Sequence, residues 1–219
     1  MRRELEILDE LKEGLDTFVD RWSKIQRNSL KSIQAVANTI MQIEHLDGPL
    51  GKLEEFDNIR ENTKGKLLVM LYDQLVPSLE SSVKEFTKLM KMFEDLRQKV
   101  TVVQTLAESL RGGSGDRGEL EDLAGFLDLI VLNVNNILNM FEAEFLVKII
   151  LFRDLEEGGT EMGVISNYLT IWTAEPNIEI HVLDKLMKDL EEHFELLREV
   201  FSGKAGIRQP DIQSRFQEQ

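Results

Sequence analysis

The sequence predicts an all-α protein: an elongated antiparallel helical bundle or coiled coil of three long helices, with a short fourth and a C-terminal fifth helix. Apolar residues recur at alternating three- and four-residue steps over long stretches, the period of a helix face buried against another helix. No stretch of useful length alternates apolar and polar residues as a half-buried strand would. Stop signals at Asp47-Gly48-Pro49, Gly158-Gly159 and Pro176 divide the periodic stretches from one another.

The first helix is expected over residues 3–46. Leu8, Leu11, Leu15, Phe18, Trp22 and Ile25 form a strict seam, which then runs Ile25, Ser29, Ile33, Val36, Ile40, Ile43. The two successive four-residue steps after Ile25 read as a stutter, which locally unwinds a supercoil. Residues 48–64 read as a loop with one helical turn at most. A second long helix follows over about 66–110, with the stripe Leu68, Leu71, Leu75, Leu79, Phe86, Met90, Phe93, Leu96, Val100, Val103, Ala107 and Leu110. Pro77 lies inside it, removes a backbone donor and is expected to kink or divide it.

Gly112-Gly113-Ser114-Gly115-Asp116-Arg117-Gly118 reads as flexible linker, natural or an engineered replacement of a longer loop. It fails as a phosphate loop because no Lys-Ser or Lys-Thr pair follows at the required spacing. A third helix over 119–157 is apolar on most faces between Phe126 and Phe152, so it is buried on several sides or covered by a partner. A short fourth helix reaches about Thr173, and Asn177 is placed to cap a fifth that runs to about Ser202. The resulting organisation is one helical domain, 1–202, made of an N-terminal hairpin (1–111), the linker (112–118) and the C-terminal helices (119–202); 203–219 reads as a disordered tail.

Composition narrows the function. The chain has 25.2 kDa, 42% hydrophobic and 30% charged residues, which suits a folded, soluble intracellular protein. It has no Cys, which excludes disulfides and thiolate metal sites and fits a reducing compartment. The net charge of −14 argues against a nucleic-acid backbone as partner. Between Asp154 and Glu199, 12 acidic residues stand against 3 basic ones, a solvated face or a surface that steers a basic protein partner. The apolar run Phe126–Leu132 is too short to span a bilayer and Asn133 interrupts it, so no membrane role is expected.

Chemistry-bearing patterns point away from catalysis. None of His45, His181 and His193 has a Glu three residues before it, so the Glu-x-x-His pairs of a di-iron bundle are missing. Zinc-protease, calcium-loop and Gly-x-Ser-x-Gly patterns are missing too. Glu156-Glu157 and Glu191-Glu192 are adjacent on helices and point in different directions. No catalytic residue, cofactor site or metal site is expected.

One segment stands out. Asn167–Ile180 holds one of two Trp and one of two Tyr in the chain. Tyr168 and Trp172 are one helical turn apart and share a face with Ile165 and Leu169. Such a face is either bundle core or an interface anchor. The spaced set Tyr168-Leu169, Trp172, Pro176 and Glu179 resembles the C-terminal motif of the cyclin-dependent-kinase-interacting protein (CINP) family. Ile137-Leu138-Asn139-Met140-Phe141 and Glu144-Phe145-Leu146-Val147-Lys148 resemble that family's preceding helix. Trp22-Ser23, Ile25-Gln26 and Ala37-Asn38 are similar to its first helix, and Leu71 to Leu96 matches its middle coiled coil by pattern alone. Pro77, the Gly-rich linker and the longer helix beyond residue 185 depart from the family.

The resemblance implies a nuclear adaptor, with the cytoplasm as a second location, that works without catalysis. Its implied partners are a helical companion subunit, an AAA ATPase of large ribosomal subunit maturation and of protein extraction from replisomes or chromatin, and cyclin-dependent and replication-initiating kinases. It implies a hetero-oligomer, with Tyr168, Leu169, Trp172, Pro176, Ile178 and Glu179 as partner-binding residues. The alternative is a structural coiled-coil subunit of a tethering or cytoskeletal complex. Exposure separates the two: the adaptor reading needs at least one of Trp172, Pro176 and Ile178 accessible, whereas the structural reading buries all three.

Overall fold

The computed structural model describes residues 2–48, 57–113, 117–157 and 162–201, and every regular element among them is helical. In chain order these are α1 (Arg2–Asp47), α2 (Asp57–Met70), a π turn (Leu71–Leu75), α3 (Val76–Arg111), α4 (Arg117–Glu156), α5 (Met162–Ala174) and α6 (Ile180–Phe201). The all-α class is therefore established. The expected tail over 203–219 and the stop signals at Pro49 and Gly158-Gly159 lie outside the described residues.

Three local expectations change and one holds. Residues 57–64, expected as loop, begin α2. None of the side chains of this helix is buried, and before Leu68 it carries no apolar period to read. Charge supports its first turns instead: Arg60 pairs with Asp57 (3.2 Å) and Lys64 reaches back to Asp47 (2.7 Å). The helix expected over 66–110 is interrupted next to Pro77, as the proline predicts. The ladder widens into the π turn just before it, where the Val76 N–H donates to the Leu71 carbonyl five residues back. Arg117 and Gly118, expected as linker, belong to α4. Asn177 does not cap α6, which starts at Ile180.

Contacts gather the chain into two compact units, whose boundaries fall inside α1, α3 and α4. The first holds residues 1–17, 93–139 and 180–219. Its described core is a heptad-type interior: Leu8, Leu11 and Leu15 of α1, Phe93, Leu96, Val100 and Val103 of α3, Leu127, Ile130 and Val134 of α4. From α6 it takes Leu183, Leu190, Phe194, Leu197 and Phe201. A Cβ on Gly14 would stand 3.0 Å from Leu96 Cδ2, so glycine permits the close approach of α1 and α3 here. Lys12–Glu191 (2.7 Å) and Arg198–Asp9 tie α6 to α1 at the rim.

The second unit holds residues 18–92 and 140–179. Along α1 the buried seam runs Phe18, Trp22, Gln26, Ser29, Ile33, Val36 and Ile40, with Ala37 and Thr39 buried beside it. The stutter is thus at Phe18-Trp22-Gln26, seven residues earlier than expected, and polar Gln26 takes the seam position expected for Ile25. On α3, Leu89 rather than Met90 continues the seam. By length and composition α4 could cross a membrane, but 44% of its most apolar window is buried inside the protein.

Replacing Phe194 by Ala should lower stability in urea by about 3–5 kcal/mol, the usual cost of emptying an aromatic core site. Replacing Glu191 by Ala, which breaks the half-exposed Lys12 pair and removes a negative charge near Arg198, should cost about 1 kcal/mol or less. A reversed order would mean that rim charges rather than the seam hold α6.

Candidate functional site

The motif residues of α5 meet a buried polar cluster in the second unit. Ile165 and Trp172, seven residues apart, are the buried positions of α5, while Tyr168 and Leu169 are half-buried. Tyr168 donates its hydroxyl to Asp154 at 2.6 Å, which raises its own ionisation above the ordinary tyrosine value. Trp172 is 0% exposed, and its indole N–H donates to Ser29 Oγ (3.0 Å).

A helix ending inside a protein needs partners for its last carbonyls. In α5 the Ile171 carbonyl accepts the Glu175 N–H (3.3 Å). The Trp172 carbonyl accepts Gln26 Nε2 (2.8 Å) and Lys148 Nζ (3.4 Å). A cation is the favoured charge at a helix C-terminus. The same ammonium lies 4.9 Å from the Trp172 ring and 5.7 Å from that of Phe86, within cation–π range.

Lys148 is 1% exposed and Glu144, one turn before it, 0%. Their charged atoms stand 3.2 Å apart, and Glu175 is 3.5 Å from the ammonium on its other side. Neutral donors reach one oxygen of each carboxylate, whereas Glu144 Oε1 faces the Lys148 ammonium without a hydrogen bond. Trp22 Nε1 donates to Glu175 Oε1 (2.8 Å), and the backbone N–H and Nδ2 of Asn177 donate to Glu144 Oε2 (3.2 and 3.1 Å). The Trp22 ring is wedged between Phe86 and Phe141, at centroid distances of 4.6 and 5.0 Å.

Burial dominates the electrostatics. It lowers the Lys148 pKa against the opposing pull of Glu175 and Glu144. It raises the Glu175 pKa, with Lys148 and Trp22 acting the other way. Closed to solvent at Lys148, the cluster is an enclosed joint of α1, α4 and α5. Among the described residues, no group of three or more His, Asp or Glu is placed to hold a metal ion.

The segment after α5 turns on this joint. Glu175 has a positive φ of 44°. The Ile178 N–H donates to the Glu175 carbonyl (2.9 Å), closing a turn with Pro176 and Asn177 at its centre. Ile178 is buried at 6% exposure, while Pro176 and Glu179 are exposed. The structure therefore splits the six sequence-predicted residues. Trp172 and Ile178 are interior, Tyr168 and Leu169 lie at the boundary, and Pro176 and Glu179 face solvent. Sequence reasoning missed Gln26, Ser29, Lys148, Glu144, Glu175 and Asn177 as members of one network. The available signal was Glu144-x-x-x-Lys148, an opposite-charge pair one turn apart in a helix apolar on most faces. No family model and no curated protein matches the chain.

Two outcomes check this joint. Trp172→Ala should cost about 3–5 kcal/mol in denaturant unfolding, as for any large core aromatic; a change below about 1 kcal/mol would place the side chain outside the interior. The second concerns pH. A carboxyl whose pKa is raised on folding contributes stability that is full below its unfolded value, near ~4.3, and is lost as pH rises through the folded value. The stability of the wild type relative to Glu175→Gln should therefore fall as pH climbs from about 4. A rise over that window in paired urea titrations would contradict the assignment.

Proposed function

We propose that the chain is a non-enzymatic adaptor of the kind the CINP resemblance implies. It docks a helical companion subunit and, through it, an AAA ATPase that extracts factors from maturing large ribosomal subunits, replisomes or chromatin. It also engages cell-cycle kinases in replication and checkpoint signalling. The nucleus is its proposed location. One observation carries this reading: on α4, Leu146 and Ile150 stand one turn apart at 55% and 60% exposure. Large apolar side chains paired on one helix face fit the helix-in-groove mode of partner recognition. The exposed Pro176 and Glu179, on a turn anchored by the joint, support it further.

The second reading, a structural coiled-coil subunit, draws on the burial of Trp172 and Ile178, although the exposed Pro176 does not meet its requirement that all three be buried. The two part on α4. Leu146→Glu with Ile150→Glu should leave unfolding free energy within about 1 kcal/mol, since both positions are at the surface. In affinity purification from nuclear extract, the wild type should bring down an AAA ATPase together with a small helical protein, and the double variant should lose both. Recovery of cytoskeletal or tethering subunits instead would favour the second reading.

A further inference from the structure

We propose that Glu175 is a positioning residue: its carboxylate, held by Trp22 and Lys148, fixes the left-handed backbone that aims the Pro176–Glu179 turn. The left-handed region after a helix end is ordinarily a glycine position, because a Cβ there crowds the backbone. Here the chain carries Glu at φ 44°. A residue that opposes the local backbone preference needs a compensating interaction, and the side chain supplies one. Oε1 accepts the Trp22 indole N–H at 2.8 Å and lies 3.5 Å from Lys148 Nζ.

The turn is then clamped on both flanks. Before Pro176, Glu175 is held by α1 and α4. After it, Asn177 donates twice to Glu144 Oε2. The same ammonium that faces Glu175 also holds the Trp172 carbonyl, so the end of α5 and the direction of the turn are set by one group. Pro176 removes a further degree of freedom by fixing its own φ. The consequence is a division of labour within the motif: Glu175, Asn177 and Lys148 orient, and Pro176 and Glu179 are presented. The presentation to a partner rests on the adaptor reading; the orientation does not.

Amide hydrogen exchange on the full chain, without any partner, tests it. In Glu175→Gly the backbone is relieved but the anchor is gone. The Asn177 and Ile178 amides should exchange faster by about tenfold, the factor that one charge-assisted bond is worth, while Ile33 and Val36 of α1 keep their rates. Glu175→Gln, which retains the acceptor for Trp22, should stay within about threefold of wild type at Asn177 and Ile178. If the glycine variant does not fold, Glu175→Asp, shortened by one methylene, should give the same local acceleration. Unchanged rates at Asn177 and Ile178, or an equal acceleration across α1, would overturn the proposal. Failure of the nuclear-extract purification would remove the adaptor reading alone and leave this result standing.

Discussion

The arrangement of the second unit depends on the burial of Lys148. An ammonium withdrawn from water is costly unless charges and dipoles surround it. Around Lys148 they come from three places: Glu144 on its own helix, Glu175 beyond α5, and the Trp172 carbonyl at the end of α5. Two of them belong to the α5 segment. Seating α5 and its turn is therefore part of what makes the buried lysine tolerable. The carboxylates in turn require Trp22 and Asn177, which brings in α1 and closes the network.

Such a network contributes definition more than net stability. Replacing buried ion pairs by apolar residues is often neutral or favourable, whereas removing one partner costs about 3–5 kcal/mol. The apolar surroundings, Phe86, Phe141, Trp22 and Trp172, supply the driving force, and the polar groups select one register for α5 among the sliding arrangements that greasy helices permit. The interior aromatic residues of the motif and its solvent-facing residues then have separate duties. The former hold the segment in place, and the latter are available to another molecule.

Much of the fold was legible because heptad-like seams depend on residue type alone. Leu8 to Trp22 and Phe93 to Ala107 were read and are buried. Reading failed where burial and hydrophobicity part company. Gln26 sits on the seam because its amide caps the Trp172 carbonyl, a contact 146 residues away in sequence that no local period encodes. Leu89 displaced Met90 for a smaller reason, a one-residue ambiguity between adjacent apolar side chains. The first turns of α2, residues 57–64, were missed because a stretch that buries nothing has no stripe. At the site, the Tyr168/Trp172 face was legible, but its assignment between core and surface needed the partners Ser29, Lys148 and Glu175. Glu175 looked like an ordinary surface acid, and only its positive φ and its distance to Trp22 mark it out.

The most direct test of the buried joint is a double-mutant cycle on Lys148→Met and Glu144→Gln, followed by urea unfolding. If the two charges sustain each other in the interior, each single change destabilises and the double change recovers part of the loss, with a coupling of about 1–3 kcal/mol. Strict additivity, with no recovery in the double variant, would mean that the pair is incidental and that α5 is seated by apolar contact alone.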